Sequence, residues 1–237
     1  MDSVYNILMS LPLLNGVSRA RIMEVAGKTK FHFLKYLKGE TVVRAGDECD
    51  HLKFILSGSV RASISNPDNR FKVSQTLRTP LAITPEFLYG AMTKFPCDVL
   101  ALEPTGIMQI AKADYLRLLS QDSVFLINYV NLVSSISQRA TYGMIPLASG
   151  NLDERIAYWI VALTQRGGTD IVLECKQRDL YSLFGVQRSS FIATLDSMKQ
   201  RGLIDYDSNA IIVNSRKALL EMLNSHIKPE YPPPPPY

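Results

Sequence analysis

The chain has 237 residues, which is enough for two domains that each bury a core of their own. Hydrophobic residues make up 46% and charged residues 20% of the sequence, and no apolar run reaches the roughly 20 residues that a membrane-spanning helix requires. The three cysteines are odd in number and far apart, and the N-terminus lacks the features of a signal peptide, so we expect structural thiols in a cytoplasmic protein that does not engage a membrane.

The first half of the chain has the pattern of an all-β region. From about Phe31 to Ile110, short strand-like runs are interrupted by turn signals such as Ala45-Gly46-Asp47 and Ser57-Gly58-Ser59. A helix from Ser18 to Ala26, with Ser18 as its N-cap, precedes these runs. The sequence therefore predicts a leading helix followed by a small β-barrel or roll.

A long helix is predicted next, because Asp114 can cap a segment that contains neither Gly nor Pro until about Tyr142. Two apolar lines follow it, and two apolar faces need two partners. We expect one face on the β-region and the other on the same helix of a second subunit. The predicted dimer interface consists of Leu119, Leu126, Tyr129, Val133, Ile136 and Ala140. A core helix of a monomer is the alternative, and residues 143–150 are expected to form a hinge.

The region after the hinge is predicted to be a small mixed domain. A helix ends at Gly167-Gly168, a short strand follows, and two short helices span Lys176 to Ile204. A hairpin that turns at residues 207–209 and a helix capped by Ser215 come next. The final segment PEYPPPPPY is expected to be a disordered tail.

The window from Lys176 to Ile204 indicates a helix-turn-helix. Gly185 permits the positive φ of a sharp turn between two amphipathic helices. The spacing leaves Gln187, Arg188 and Ser189 on the exposed first turn of the second helix, where base edges in a major groove would be read. Phosphate contacts are predicted from Lys176, Gln177, Arg178, Ser190, Lys199, Ser208 and Asn209.

Charge supports this interpretation only locally. The chain carries a net charge of +4, yet residues 151–225 contain nine Lys or Arg against nine Asp or Glu. Within residues 176–202, five cations face two carboxylates. Two helices joined by a glycine also occur in domains that bind no nucleic acid, so the window alone leaves both interpretations open.

The order of these parts resembles the cyclic-AMP receptor protein and fumarate-nitrate regulator family of bacterial transcription factors. Three segments carry the resemblance: YLKGETVVRAGDECDHLKFILSGSVRASI with its glycine turns, the long helix, and RIAYWIVALTQ followed by the helix-turn-helix window. The resemblance implies an α+β fold. Its expected parts are a cyclic-nucleotide-binding-like roll (1–112), a dimerisation helix and hinge (113–145), a winged helix-turn-helix domain (146–225) and a Pro-rich tail (226–237).

The effector site of the family is altered in this sequence. The family's roll carries a Gly-Glu pair and an Arg followed by a small residue, and the matching positions here hold Thr84-Pro85 and Phe95-Pro96-Cys97. A buried phosphate without a cation is costly, and Pro85 removes an amide donor. We therefore expect no cyclic nucleotide, no iron–sulfur cluster from three scattered cysteines, no haem and no metal. An unidentified effector would contact Thr84, Glu86, Lys94 and Cys97.

The resemblance thus implies a homodimeric regulator of transcription that reads a palindromic operator in double-stranded DNA, with RNA polymerase as a further candidate partner. Tyr181 stands where the family keeps a small residue, and Ser189 and Ala193 replace charged residues of its reading helix. A sensory module whose C-terminal domain docks a protein is the alternative. No nucleophile, metal-ligand or phosphate-loop motif indicates an enzyme.

Overall fold

The computed structural model describes residues 9, 11–78, 80–144, 150–165 and 167–226. The chain divides into two compact units. The first contains residues 1–62 and 77–136, and the second contains residues 63–76 and 137–236. The predicted tail, apart from His226, and most of the predicted hinge (145–149) lie outside the described residues.

The first unit begins with helix α1 (Arg19–Lys28), whose N-cap Ser18 accepts a hydrogen bond from the amide of Arg21 at 3.2 Å. One antiparallel sheet has the order β1–β8–β3–β6, and strand β2 pairs with β7 at a second sheet. The strands are β1 (Phe31–Tyr36), β2 (Thr41–Val43), β3 (His51–Ser57), β4 (Ser59–Ser65), β6 (Leu81–Ala82), β7 (Asp98–Ala101) and β8 (Thr105–Ala111). The predicted β-region in an α+β fold is confirmed.

Gly58 makes the tight connection between β3 and β4. Its φ is +84°, and a Cβ atom at this position would lie 2.7 Å from the carbonyl oxygen of Pro104 and 2.9 Å from the Cα of Thr105. Both the backbone conformation and the neighbouring backbone therefore require glycine here.

The prediction of one uninterrupted helix from Asp114 to Tyr142 was wrong. The structure has two helices, α2 (Lys112–Gln121) and α3 (Ser123–Met144), with Asp122 in an extended conformation between them. The Asp122 carboxylate accepts a hydrogen bond from the amide of Val124 at 2.9 Å and forms an ion pair with Arg21 of α1 at 2.7 Å. Asp122 therefore caps the start of α3, as short polar side chains do at a helix N-terminus.

The second unit is built from α4 (Leu152–Leu163), β9 (Thr169–Cys175), α5 (Gln177–Leu183), α6 (Arg188–Gln200), β10 (Ile204–Tyr206), β11 (Ala210–Val213) and α7 (Arg216–His226). Asn151 and Glu154 form a capping box at the start of α4. Strands β10, β11 and β9 are antiparallel neighbours, and the predicted hairpin is present.

A further strand extends this sheet on the other side of β9. Strand β5 (Phe71–Arg78), of which residues 71–76 belong to the second unit, pairs antiparallel with the other edge of β9. The pairing is supported by side chains: Lys72 forms an ion pair with Glu174 at 3.3 Å, and the rings of Phe71 and Trp159 are 5.3 Å apart. No pattern in the sequence indicates this strand pairing.

Among the described residues, no helix combines the length and the apolar character that crossing a bilayer requires.

Candidate nucleic-acid interface

Helices α5 and α6 form the predicted helix-turn-helix, with Gly185 in the turn. The φ of Gly185 is +64°, and its amide donates a hydrogen bond to the carbonyl of Ser182 at 3.2 Å. The preceding carbonyl, that of Phe184, accepts a hydrogen bond from the guanidinium of Arg155 at 2.8 Å. The turn is thus held both by its own hydrogen bonds and by a charged donor from α4.

The orientation of α6 is set by three side chains with no exposed surface, namely Phe191, Leu195 and Met198. They belong to a core that also contains Ile156 and Ile160 of α4. Phe191 stacks against Phe184 at a centroid distance of 6.1 Å. Since these residues fix one face of α6 against the core, the opposite face is presented to solvent.

The exposed face of α6 begins at the predicted base-contacting residues. Gln187 is the N-cap, Arg188 and Ser189 occupy the first turn, all three are exposed, and no acidic residue lies in that turn. The positive end of the helix dipole therefore coincides with an exposed guanidinium.

Sequence reasoning missed part of this face. Arg188, Ser189, Ile192, Ala193 and Asp196 together line one shallow surface depression. The i, i+4, i+8 spacing of Arg188, Ile192 and Asp196 is the signal that would have identified them.

Asp196 is held in place by a residue from the hairpin. Its carboxylate accepts a hydrogen bond from the Tyr206 hydroxyl at 2.6 Å. This hydrogen bond, followed by burial, raises the pKa of Tyr206 to about 12. The acidic end of the exposed face of α6 is consequently fixed to β10.

The predicted phosphate-contacting residues fall into two groups. Lys176, Arg178 and Ser190 are exposed, as are Ser208 and Asn209 at the hairpin turn. Lys199 and Gln177, by contrast, are already engaged: the Lys199 ammonium pairs with Asp205 at 2.6 Å, and the Gln177 amide donates to the carbonyl of Asp207 at 2.9 Å. A DNA contact from either would require these interactions to be exchanged.

The hairpin turn is joined to the start of α5. The backbone amide of Gln177 donates to the carbonyl of Ser208 at 3.3 Å, and that of Cys175 donates to the carbonyl of Asn209 at 2.7 Å. The Asp207 carboxylate closes the turn by accepting hydrogen bonds from the amides of Asn209 and Ala210. Together these bonds form a wing tied to the first helix of the helix-turn-helix.

Comparison with known proteins supports this architecture over most of the chain. A family model described as a cyclic nucleotide-binding domain matches residues 33–122, and one described as a Crp-like helix-turn-helix domain matches residues 154–222. The chain belongs to the cyclic-AMP receptor protein and fumarate-nitrate regulator family. It is thus a member of a family of DNA-binding transcription regulators.

Individual relatives are distant. The cAMP-activated global transcriptional regulator Vfr of Pseudomonas aeruginosa is 22% identical over 190 residues, which cover 77% of this chain and 89% of Vfr. The crystal structure of the catabolite activator protein of Thermus thermophilus is 19% identical and covers 90% of this chain and 99% of that protein, with a TM-score of 0.53. This structural similarity shows the fold alone.

The positions at which the family holds a cyclic phosphate have a different chemistry here. Thr84 is buried with φ +38°, its hydroxyl has no hydrogen-bond partner among the described residues, and Pro85 follows it. Burial, together with the charges of Glu86 and Asp98, raises the pKa of the Cys97 thiol to about 12. Because burial and neighbouring carboxylates both disfavour an anion, this segment does not fit a cyclic phosphate.

Lys94, the remaining predicted effector residue, does not provide a buried cation for a phosphate. Its side chain is 62% exposed, and its ammonium lies 3.6 Å from the carboxylate of Glu48. Among the described residues, no group of three His, Cys, Asp or Glu side chains is arranged to hold a metal ion.

The predicted dimer residues are divided between the core and the surface. Leu119 and Tyr129 are buried in the core of the first unit, so they are not available to a partner. Leu126 is 42% exposed, Val133 and Ile136 are half-buried, and Ala140 is exposed. The break at Asp122 separates Leu119, in α2, from the other five residues, in α3. Tyr129 lies on the side of α3 that packs against the core. Further exposed apolar residues extend the outer face: Leu116, Val124, Ile127 and Val130.

Proposed function

We propose that this regulator reads a specific sequence in double-stranded DNA through the exposed face of α6. The observation that carries the proposal is the placement of Arg188, which is exposed in the first turn of a helix whose opposite face is locked into the core. An arginine that contacts the O6 and N7 atoms of guanine contributes about 1–3 kcal/mol of discrimination. Gln187 and Ser189 flank it.

The other residues on the exposed face of α6 indicate which further bases it would contact. Ala193 and Ile192 present methyl groups, which suit the C5-methyl group of thymine, and Asp196 offers an acceptor to the amino group of cytosine. We therefore expect a half-site that contains a guanine and an adjacent thymine. The exposed Lys176, Arg178 and Ser190, with Ser208 and Asn209 of the wing, would contact phosphates and fix the register.

We further propose that the protein acts as a homodimer on a palindromic operator. The support is the exposed apolar surface of α3, where Leu126, Ile127 and Val130 are each more than 40% exposed. A monomer rarely leaves such a run in water. Two recognition helices would then enter major grooves about 34 Å apart. Sedimentation of Ile127→Glu tests this: the variant should remain folded and sediment as a monomer, and an unchanged dimer would refute this interface.

The DNA proposal is tested by selecting bound duplexes from a random pool with the full chain at low salt. Enrichment of an inverted repeat whose half-sites are one helical turn apart would support it. Bound duplexes without any shared sequence would refute specific recognition.

A second candidate is a sensory module whose C-terminal unit docks a protein, with RNA polymerase as the candidate partner. Ion pairs within that unit favour it, because Lys199 and Arg201 are paired with Asp205 and Asp153. Failure of the pool to enrich any duplex, combined with a stable complex between the full chain and RNA polymerase, would favour this alternative. In either case we propose an effector other than cyclic AMP, or none, because the residues around Cys97 disfavour an anion.

A further inference from the structure

The first unit contains a cavity of about 320 Å³ that is separate from the segment around Thr84 and Cys97. Fourteen residues from α1, the turn before it, three strands, α2 and α3 line it. Protein interiors contain few voids larger than a water molecule, and a space of this size lies within the range of small-molecule sites, which begins at roughly 300 Å³. An apolar cavity of about 150 Å³ stays dry and binds benzene.

Apart from Tyr115, whose buried hydroxyl has no hydrogen-bond partner among the described residues, the inner lining of the cavity is apolar. Its deepest walls come from side chains with 1–3% exposure, including Phe54, Ile110 and Phe125. Leu118 closes one side and Val25 of α1 another. Scaling from the benzene cavity, the volume accommodates roughly a dozen carbon atoms. The lining contains no Asp or Glu.

Polarity increases toward the mouth. Phe33 lines the cavity and is 63% exposed, Thr29 is half-buried, and Lys30 is exposed. Lys30 is the only charged residue of the lining, and no ion pair engages it in the described part of the chain. The neighbouring cation on α1, Lys28, is already paired with Glu24 at 2.7 Å. An apolar interior with one uncommitted cation at its entrance suits an amphipathic anion.

From this geometry we infer that the cavity binds a linear aliphatic carboxylate of about twelve carbons, with its chain against the core and its carboxylate at Lys30. The occupant is thus a medium-chain fatty acid or a molecule that presents the same acyl carboxylate. This inference names the effector class left open by the proposed function and rests on it only for the regulatory consequence, not for binding.

The cavity is placed where occupancy would affect the long helix. Phe125 lies in the first turn of α3, and Leu118 is near the end of α2. Between them, Asp122 caps α3 and pairs with Arg21 of α1 at 2.7 Å. A chain inserted between α1 and α2 therefore contacts both sides of the break that starts the proposed dimer helix.

The test is calorimetric titration of the full chain, without DNA, with hexanoate, dodecanoate and octadecanoate below their micelle-forming concentrations. Dodecanoate should bind once per chain and raise the melting temperature, and hexanoate and octadecanoate should each bind at least tenfold more weakly. Dodecylamine, with the same tail and the opposite charge, should also bind at least tenfold more weakly. Equal affinity across the lengths, or no saturable binding, would overturn the inference.

Two variants test the carboxylate contact and the binding of the aliphatic chain separately. Lys30→Glu, at an exposed position, should weaken dodecanoate binding about tenfold, since it removes an attraction and adds a repulsion, each worth up to about fivefold at an exposed site. It should also improve dodecylamine binding. Val25→Phe should fill the cavity and abolish binding of both amphiphiles. Unchanged selectivity in Lys30→Glu would refute the carboxylate position, and unchanged binding in a folded Val25→Phe would refute the cavity.

These results are independent of DNA recognition. Dodecanoate binding together with failure to select any duplex would leave the cavity assignment standing and remove the proposed function. Selection of an inverted repeat by a protein that binds no aliphatic carboxylate would do the reverse.

Discussion

Replacing Gly185 by alanine tests whether the turn between α5 and α6 depends on backbone freedom alone. The φ of Gly185 is +64°, and a Cβ atom there would find no heavy atom within 4 Å. The left-handed conformation costs a non-glycine residue about 1–2 kcal/mol. Reduced freedom of the unfolded chain returns about 0.4–1 kcal/mol. Gly185→Ala should therefore lower the free energy of unfolding by about 1 kcal/mol, and no steric cost should add to it.

Urea unfolding followed by Trp159 fluorescence provides the assay. Trp159 is the only tryptophan in the chain and lies 5.7 Å from the ring of Phe184, next to the turn. Gly185→Asn is the matched control and should lose less, because asparagine tolerates the left-handed region.

The same chemical change at Gly27, inside α1 with no heavy atom within 4 Å of the added Cβ, should have the opposite sign. Alanine should stabilise the helix there by up to about 1 kcal/mol, measured by far-ultraviolet circular dichroism. A loss above about 3 kcal/mol at Gly185, or equal losses for alanine and asparagine, would show that the turn does not depend on backbone freedom alone.

Three further changes have expected outcomes. Thr84→Gly should raise the free energy of unfolding, measured in urea, by about 1 kcal/mol. The change removes a β-branched residue from the left-handed region and a buried hydroxyl that has no partner among the described residues. A lower free energy of unfolding would show that the hydroxyl is satisfied. Arg216→Ala should lower the free energy of unfolding by about 2–3 kcal/mol in the same assay, since the guanidinium donates to the Thr164 hydroxyl at 2.9 Å and to backbone carbonyls at the end of α4. Arg216→Lys should lose less than Arg216→Ala but more than the parent, because an ammonium cannot reproduce the forked geometry. A lysine variant as stable as the parent would argue against that geometry. Tyr206→Phe should lower the free energy of unfolding below pH 10, and its difference from the parent should shrink between pH 10 and about 12. The pKa of Tyr206 is raised, so its hydrogen bond stabilises the fold only while the hydroxyl is protonated. A difference that stays constant to about pH 12 would contradict the hydrogen bond to Asp196.

The reading helix was predictable because its evidence is local. Phe191, Leu195 and Met198 recur at helical spacing, so they fix which side of α6 is buried, and Arg188 is left on the other side. Gly185 marks the turn by a conformational requirement that is visible in the sequence. Such inferences need no knowledge of distant partners.

Other features depend on neighbours that periodicity does not identify. Helical spacing predicts that Leu119 and Tyr129 are covered, but it does not say whether the covering surface belongs to the same chain or to a second subunit, and the structure places both in the core of the first unit. The signal for the helix break was Asp122, a short polar residue whose side chain can cap a helix that begins at Ser123. Lys199 was expected at phosphate, yet Asp205, which neutralises it, lies across the turn into β10.

The cavity could not have been found from the sequence. Its lining comes from α1, β1, β3, β8, α2 and α3, and each contributing residue is unremarkable in its own segment. Only their assembly produces an apolar space with a single lysine at its entrance. Likewise, the pairing of β5 with β9 joins segments about one hundred residues apart through backbone hydrogen bonds that any side chain permits.

Whether Arg188 reads a base is measured by comparing Arg188→Ala with Lys176→Ala on the selected duplex and on a random duplex at two salt concentrations. Arg188→Ala should lose about 1–3 kcal/mol on the selected duplex, lose much less on the random one, and relax preference at one base pair of each half-site. Lys176→Ala should weaken binding to both duplexes alike and reduce the salt dependence. Equal losses on both duplexes from Arg188→Ala would show that Arg188 does not read a base.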